Sequence, residues 1–219
     1  VLIAPLGSSC PFAEVIECDF NEGISKHNPK DTDFLHFFSL VPENYDGKFI
    51  YTLEGNAQFG EKLTQQTVFV SHNQAKRHGG DCFVHNSLSP RDGDLSLKRE
   101  NFHFLGKAVW KRKNVKGAIR CARKANSGKI DILGGNRLNF NMGLRFTLDP
   151  IARFHRRVDE SFKKQLLPKS HGLIFPVLWN DPCPLSIIES LLLGCPVFGT
   201  PYSSLPELVP PEVGFLSAN

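Results

Sequence analysis

The sequence has no apolar run close to the ~20 residues that a membrane-spanning helix requires. It shows no internal repeat and no low-complexity tract, which excludes solenoids and repetitive linkers. Residues 1–6 are a short apolar segment without the basic leader that a secretory signal carries. Of the 219 residues, 41% are hydrophobic and 22% are charged, as in ordinary globular proteins. This length suits one large domain or two small ones.

Metal-binding and disulfide patterns are also missing. The six cysteines form no C-x-x-C pair. Cys82, Cys121 and Cys195 stand in apolar surroundings, which predicts buried, reduced thiols and a cytoplasmic protein. His72 and His78 are six residues apart, a spacing that fits neither an i,i+4 helical pair nor a known ligand pattern. We therefore expect no metal ion and no disulfide framework.

The charge balance is mild. A net charge of +4 does not predict a nucleic-acid partner. Basic side chains nevertheless cluster within residues 107–116 and 153–157. Such clusters either bind phosphates or form solvated faces, and the pattern of residues alone leaves both open.

Short β-branched and aromatic runs alternate with helical patterns along the whole chain. In the first part the predicted strands are residues 1–6, 34–41, 48–53, 67–70 and 81–85, with a short helix at 72–77. The polar segment 86–100 is broken by Pro90 and Gly93 and predicts a linker.

After this segment the alternation becomes regular. The predicted strands are residues 102–105, 129–133, 172–177 and 195–199, with lesser candidates at 144–147 and 151–154; the predicted helices are 114–124, 159–167, 185–193 and a turn at 205–209. Asn114 suits the N-cap of the first of these helices. This alternation predicts an α/β protein with a parallel sheet covered on both faces. Ligands of such sheets bind beyond the carboxyl ends of the strands.

The stretch NDPCPLSIIESLLLGCP at residues 180–196 predicts a loop, a helix and a strand start. Pro184 suits the first helical position and Gly194 suits the C-cap. Glu189 does not fit this purely structural interpretation, because its neighbours are nearly all apolar and a buried carboxylate needs a partner. Glu189 either forms a salt bridge or cap, or accepts hydrogen bonds from a ligand hydroxyl. Asp181 lies at the head of the same helix, where backbone N–H groups suit a phosphate or sugar oxygen.

This order of an acidic residue, Pro, Leu, Glu and then Gly-x-Pro-Val resembles the nucleotide-sugar site of retaining glycosyltransferases with the GT-B fold, the group called family 4. The segments 67–88, 104–119 and 199–209 resemble further parts of that family. The resemblance implies two Rossmann-like lobes with parallel sheets: an N-terminal acceptor-side lobe over residues 1–88, a linker over 89–100 and a C-terminal donor-binding lobe over 101–219. The first lobe is short for the family, and the second ends where family members continue with further helices.

The resemblance assigns the donor diphosphate to two cations, Lys107 and Lys113, which would neutralise it and stabilise it as it leaves. Glu189 would bind ribose hydroxyls, and Asp181 would lie near the transferred sugar. Gly134 and Gly135 would let the backbone approach the nucleotide base, although a plain turn accounts for them equally well.

The backbone around Pro184, Leu185 and Ser186 would meet sugar hydroxyls or phosphate in the same scheme. Four residues depart from the family pattern. Asp181 replaces a Glu, Cys183 with Pro184 replaces Phe-Gly, and Glu54 stands where the family often has His. A glycine-rich loop after the first strand is also missing, since only Gly7 is present there.

The resemblance therefore implies transfer of a sugar from a nucleotide-diphosphate sugar to a carbohydrate, lipid-linked or protein acceptor. The reaction would retain the anomeric configuration and need no metal or other cofactor, and peripheral membrane contact is left open. Family members are thought to react by front-face displacement, in which the leaving phosphate helps to deprotonate the acceptor. The departures favour an alternative: a degenerate, non-catalytic member that binds a sugar nucleotide or a partner protein. An epimerase of the same fold is a weaker third interpretation.

Overall fold

A computed structural model of the chain describes residues 2–5, 10–11, 14–18, 33–38, 41, 45, 47–58, 60–90, 93–94, 97–140 and 145–218. In the first part β1 (Leu2–Pro5) pairs in parallel with β2 (Val15–Cys18). Next, β3 (Leu35–Phe37), β4 (Phe49–Leu53) and β5 (Thr67–Phe69) form a three-stranded parallel sheet in chain order. The helix α1 (His72–Arg77) follows, and its N-cap Ser71 accepts a hydrogen bond from the Gln74 backbone.

The second part builds a six-stranded parallel sheet. Its strands are β6 (Asn101–Leu105), β7 (Ile130–Leu133), β10 (Ala152–Phe154), β11 (Ser170–Phe175), β12 (Val197–Gly199) and β13 (Gly214–Leu216), in the spatial order β10–β7–β6–β11–β12–β13. In the sequence between β7 and β10, the strands β8 (Leu138–Asn139) and β9 (Arg145–Phe146) form a small antiparallel hairpin. The strand order reverses between β6 and β11, which is where ligands bind in open α/β sheets.

Helices cover both faces of this sheet. They are α2 (Val115–Lys124), α3 (Glu160–Leu166), α4 (Leu185–Leu192) and the short α5 (Leu205–Leu208), with 3₁₀ turns at Lys111–Lys113 and Leu167–Lys169. On one face Ala118 and Ile119 of α2 pack against Ile132. On the other face Ile187 of α4 packs into a cluster with Leu173. The prediction of a parallel sheet buried on both sides is confirmed.

Local sequence chemistry explains where α2 and α4 begin and end. The Asn114 side chain caps α2 by accepting a hydrogen bond from the Gly117 backbone, as predicted. Pro184 is the N-cap residue of α4, one position before the first helical residue, so its predicted place was wrong by one. Gly194 follows α4 with a φ of 71°, the left-handed conformation that suits a C-terminal glycine.

Other predictions need correction. The predicted strand at 81–85 is only an isolated bridge, in which Phe83 pairs with Phe69. The strands β2, β8 and β13 were not predicted, because each is short and lacks a clear alternation. Cys82 and Cys121 are exposed, whereas Cys195 is buried as expected. Gly7 and residues 91, 92, 95 and 96 of the predicted linker lie outside the described residues.

Candidate functional site

The loops after β6 and β11 meet at the carboxyl edge of the large sheet. The Lys113 ammonium donates a hydrogen bond to the Asp181 carboxylate, and the two side chains are only 13% and 8% exposed. The Leu178 backbone N–H donates to the Arg112 carbonyl at 2.8 Å, and the Asn114 amide donates to the Pro176 carbonyl at 2.9 Å. Two predicted site residues, 68 positions apart, are therefore held together by a network that fixes both loops.

An aromatic and cationic cluster lies beside this ion pair. The Arg112 guanidinium is 4.2 Å from the centroid of the Trp110 ring and 4.0 Å from that of Trp179. The Lys107 ammonium is 4.6 Å from the Trp110 centroid. These distances are within the range of cation–π attraction. The cluster holds the loop that carries Lys107 and Lys113 in a defined shape.

A cavity of about 580 Å³ opens at the same edge of the sheet and is rich in positive charge. Its lining includes the cations Lys107, Arg156, Arg157 and Lys163, together with Gly134 and Gly135. Three of the predicted site residues, Lys107 and the two glycines, thus share one cavity. Asp181 and Lys113 are not part of its lining.

Gly134 and Gly135 are required by close backbone packing. A side chain at Gly134 would collide with the Gly106 carbonyl, and one at Gly135 would lie 2.6 Å from the Ala108 Cβ. Gly134 also has a φ of 108°, which side-chain-bearing residues rarely adopt. The two glycines therefore let the loops after β6 and β7 touch, and their contact with a nucleotide base stays a prediction.

Glu189 has the partner that its burial demands. Its carboxylate accepts a hydrogen bond from the Lys163 ammonium at 2.6 Å, and Lys163 also pairs with Glu160. Burial lowers the pKa of Lys163, but the hydrogen bonds to Glu160 and Glu189 outweigh this and hold the pKa above its ordinary value. The salt-bridge interpretation of Glu189 is confirmed. Because Lys163 lines the cavity, Glu189 lies directly behind a cavity cation, and its binding of ribose stays a prediction.

The three-stranded sheet contacts the loop after β11, which carries Asp181, through the segments that follow β4 and β5. The Glu54 carboxylate accepts a hydrogen bond from the Asn86 side chain at 3.0 Å. Burial raises the pKa of the Cys183 thiol, a bond from the Asn86 backbone lowers it, and the charges of Glu54 and Asp181 raise it. The Asn56 amide donates to the Asn180 carbonyl at 2.8 Å. Glu54 thus lies next to the loop that carries Asp181.

A carboxylate of α5 joins the two parts of the chain. Glu207 of α5 accepts hydrogen bonds from the backbone N–H groups of His72 and Asn73 at 2.8 and 2.7 Å. It also contacts His85 Nε2 at 3.1 Å. The carboxylate therefore caps the N-terminus of α1, where negative charge is favourable.

The start of α4 presents backbone groups toward the same edge. No side chain caps this helix, because its N-cap is Pro184. Leu185 is exposed and Ser186 is half-buried. Backbone N–H groups at such a helix start are suitable donors for an anion or a sugar hydroxyl.

Several residues of the site had little or no signal in the sequence. Arg112, Arg156 and Arg157 belong to basic clusters in which the sequence does not distinguish phosphate binding from a solvated face. The roles of Trp110 and Trp179 become visible only when the loops after β6 and β11 meet. Lys163 stands in α3 and Glu207 in the short α5, and nothing local marks Lys163 as the partner of Glu189 or Glu207 as a cap for α1.

Within the described part of the chain no group of three or more His, Cys, Asp or Glu side chains is placed to hold a metal ion. Among the same residues no helix is both long and apolar enough to cross a bilayer.

Comparison with known proteins places the fold. No protein-family model matches the sequence, and no curated protein matches it. Among solved structures, AviGT4, a glycosyltransferase involved in avilamycin A biosynthesis, superposes with a TM-score of 0.68 at 18% identity, over 86% of this chain and 62% of AviGT4. HepE from Anabaena in complex with UDP-glucose superposes with a TM-score of 0.59 at 15% identity, over 78% of this chain and 58% of HepE.

TarM from S. aureus, in complex with UDP and saccharide ligands, gives a TM-score of 0.59 at 11% identity, over 81% of this chain and 42% of TarM. At these identities the likeness concerns the fold alone. The chain has the GT-B architecture of these glycosyltransferases and spans between 42 and 62% of the lengths of the three proteins. The predicted fold class, with two parallel-sheet lobes, is confirmed.

Proposed function

We propose that this chain transfers a sugar from a nucleotide-diphosphate sugar to an acceptor, with retention of configuration and without a metal ion. The observation that carries the proposal is the meeting of Lys113 and Asp181 at the carboxyl edge of a GT-B sheet, beside a cavity lined by Lys107, Arg156 and Arg157. Fixed cations at this edge suit a diphosphate leaving group, because they stabilise its charge without a divalent ion. The solved structures of HepE and TarM with UDP support the proposal by analogy of fold.

In the proposed reaction the bond between the sugar C1 and the diphosphate oxygen breaks while the acceptor oxygen bonds to C1 on the same face. The acceptor proton passes to the departing phosphate, which leaves as the nucleoside diphosphate. Lys113 and Lys107 hold that phosphate, and Lys113 changes partner from Asp181 to the phosphate. Asp181 then faces the transferred sugar. Glu54, which follows β4, lies on the acceptor side of the loop that carries Asp181.

Thermal-shift screening against UDP-, GDP-, ADP- and dTDP-sugars tests this proposal. A donor that binds the folded state raises the melting temperature by mass action, by the equivalent of about 2.7 kcal/mol at 100 times its Kd. Lys107→Ala removes one of the cations that line the cavity. Lys98→Ala, at an exposed lysine in the segment before β6, is its matched control. Absence of a shift with every donor would contradict the proposal.

Turnover measurements decide between an active enzyme and a binding protein of the same fold. We expect transfer to continue in the presence of EDTA, and proton NMR of the product to show the donor's anomeric configuration. Donor binding without transfer or hydrolysis would favour the non-catalytic alternative. The double change Asp181→Glu with Pro184→Gly restores the family pattern, and a large gain in rate would then indicate decay of an ancestral activity.

A further inference from the structure

The β8–β9 hairpin and the residues that flank its strands carry four exposed apolar side chains. Leu138 pairs directly with Phe146 across the two strands. Phe140 and Leu148 follow Leu138 and Phe146 by two residues, just beyond the ends of the two strands, and Phe146 and Leu148 line one cavity. These four side chains are between 44 and 73% exposed. These side chains form an exposed apolar patch of the kind that marks an interaction site.

Cationic side chains of α2 border this face. Lys116 and Arg120 line a cavity of about 250 Å³ together with Phe146 and Leu148. The same two cations and Lys111 line a neighbouring cavity of about 430 Å³. We call the four apolar side chains and these three cations the hairpin surface.

The local acidic group does not cancel this positive charge. Asp149, beside Leu148, pairs with Arg123, which holds the pKa of Asp149 below its ordinary value together with hydrogen bonds and the charge of Arg137. Lys111, Lys116 and Arg120 therefore give the hairpin surface a net positive charge next to its apolar row.

We propose that the hairpin surface binds the headgroup layer of an anionic phospholipid bilayer. The apolar row suits insertion at the boundary of headgroups and acyl chains, and the cations suit the lipid phosphates around it. A symmetric contact between two copies of the chain would place Lys116 and Arg120 against their own counterparts, which opposes that occupant. A nucleic acid would leave the apolar row without a partner. The inference does not depend on the proposed transferase activity.

Co-sedimentation with vesicles tests the inference. The chain is expected to bind vesicles of phosphatidylglycerol and phosphatidylcholine at low salt, to bind pure phosphatidylcholine vesicles far more weakly, and to lose binding as salt rises. The double change Lys116→Glu with Arg120→Glu should lower the partition coefficient at least about 25-fold, at about fivefold for each basic side chain near an anionic surface. Lys62→Glu with Lys98→Glu changes the net charge equally at exposed positions elsewhere and should keep most of the binding.

The apolar row has its own matched pair. Phe140→Ser with Phe146→Ser should lower the partition coefficient by about tenfold or more, whereas Phe215→Ser, at an equally exposed phenylalanine of β13, should not. Circular dichroism melting of every variant keeps loss of folding apart from loss of binding. The inference is overturned if the wild type ignores anionic vesicles, if the control pairs lose as much binding as the test pairs, or if sedimentation velocity shows a dimer that Phe146→Ser disrupts.

Discussion

The three-stranded and six-stranded sheets share parallel pairing, but their cores differ in size and in kind. Among the residues that the structure describes, the three-stranded sheet packs five buried hydrophobic residues, three of them aromatic, into one cluster. The second has clusters of twelve and ten buried residues on its two faces, mostly aliphatic. The large sheet therefore fixes the loops that hold the candidate site, while the small sheet contributes segments that contact those loops.

The largest expected effect compares one leucine in each core. Leu173 is fully buried in the central strand β11, and Leu53 is 4% exposed at the end of β4. We expect Leu173→Ala to lower the free energy of unfolding by about 3–5 kcal/mol, because the closely packed neighbours in its cluster cannot collapse into the cavity. Leu53→Ala should cost about 2–3 kcal/mol, since fewer neighbours lose contacts. Urea denaturation measures both, and a larger loss for Leu53 would contradict the comparison.

The two parts also differ in how far the sequence predicts them. Around β11 and α4 the apolar strand, Pro184, Gly194 and the helical run agree with one another, so the sequence predicts α4 to within one residue and β11 to within two residues at each end. In the first part the sequence predicts no strand at β2 and a full strand at residues 81–85, where only the bridge at Phe83 forms, because pairing with neighbours decides both. Local sequence patterns determine the helices and the central strands. Short strands at sheet edges depend on contacts between distant residues, which local patterns do not reveal.

The same division applies to the candidate site. The sequence predicts Lys113 and Asp181 in loops that follow strands, and the structure brings the two side chains together; their role in a site stays a prediction. The partner of Glu189 could only be described as some basic residue, since Lys163 belongs to another helix. The Trp110–Arg112–Trp179 cluster depends on three-dimensional placement of two loops, which single-sequence patterns do not encode.

Lys113→Ala removes a cation from the loop after β6, which hydrogen bonds join to the loop after β11. We expect transfer activity to fall by about 10²-fold, the scale of losing a charge contact made in the transition state. Steady-state kinetics with the donor found by thermal shift measures the effect. Lys111→Ala, at an exposed position two residues away, is the matched control and should leave kcat/KM nearly unchanged. Unaltered turnover in Lys113→Ala would remove this lysine from the site.

Glu189→Gln separates a binding role from a structural one at a position behind the cavity. If Glu189 binds ribose, affinity for the nucleotide falls by about 1–3 kcal/mol, as for a lost charged hydrogen bond. Titration calorimetry measures this affinity, and calorimetric melting measures stability in parallel. A loss of stability with unchanged affinity would show that Glu189 serves only to pair Lys163, which keeps Glu160 as a second partner.

His103 tests whether the large sheet is as dry inside as its packing implies. The ring lies between the hydroxyls of Ser170 and Ser190 at 2.6 and 3.0 Å, and burial lowers its pKa to about 3. The unfolded chain then binds one more proton between pH ~6.5 and ~3, so stability should fall by about 1.4 kcal/mol for each pH unit below 6.5. His103→Gln should flatten this slope. His36→Gln, at an exposed histidine of β3, is the control and should leave the slope in place.

The smallest expected effect concerns the contact that couples the two sheets. Glu207 accepts hydrogen bonds from two backbone N–H groups at the start of α1. Glu207→Gln replaces one of the accepting oxygens with an amide donor. We expect a loss of about 1 kcal/mol of stability, because a charged cap interacts favourably with the helix N-terminus. Glu212→Gln, at an exposed position after α5, should change the melting temperature very little. Hydrogen exchange gives the sharper readout: the amides of His72 and Asn73 should lose protection while those of β11 keep it, since the large sheet does not depend on this carboxylate. Equal loss of protection in both sheets would mean that the chain unfolds as one cooperative unit and that the contrast between its parts concerns architecture alone.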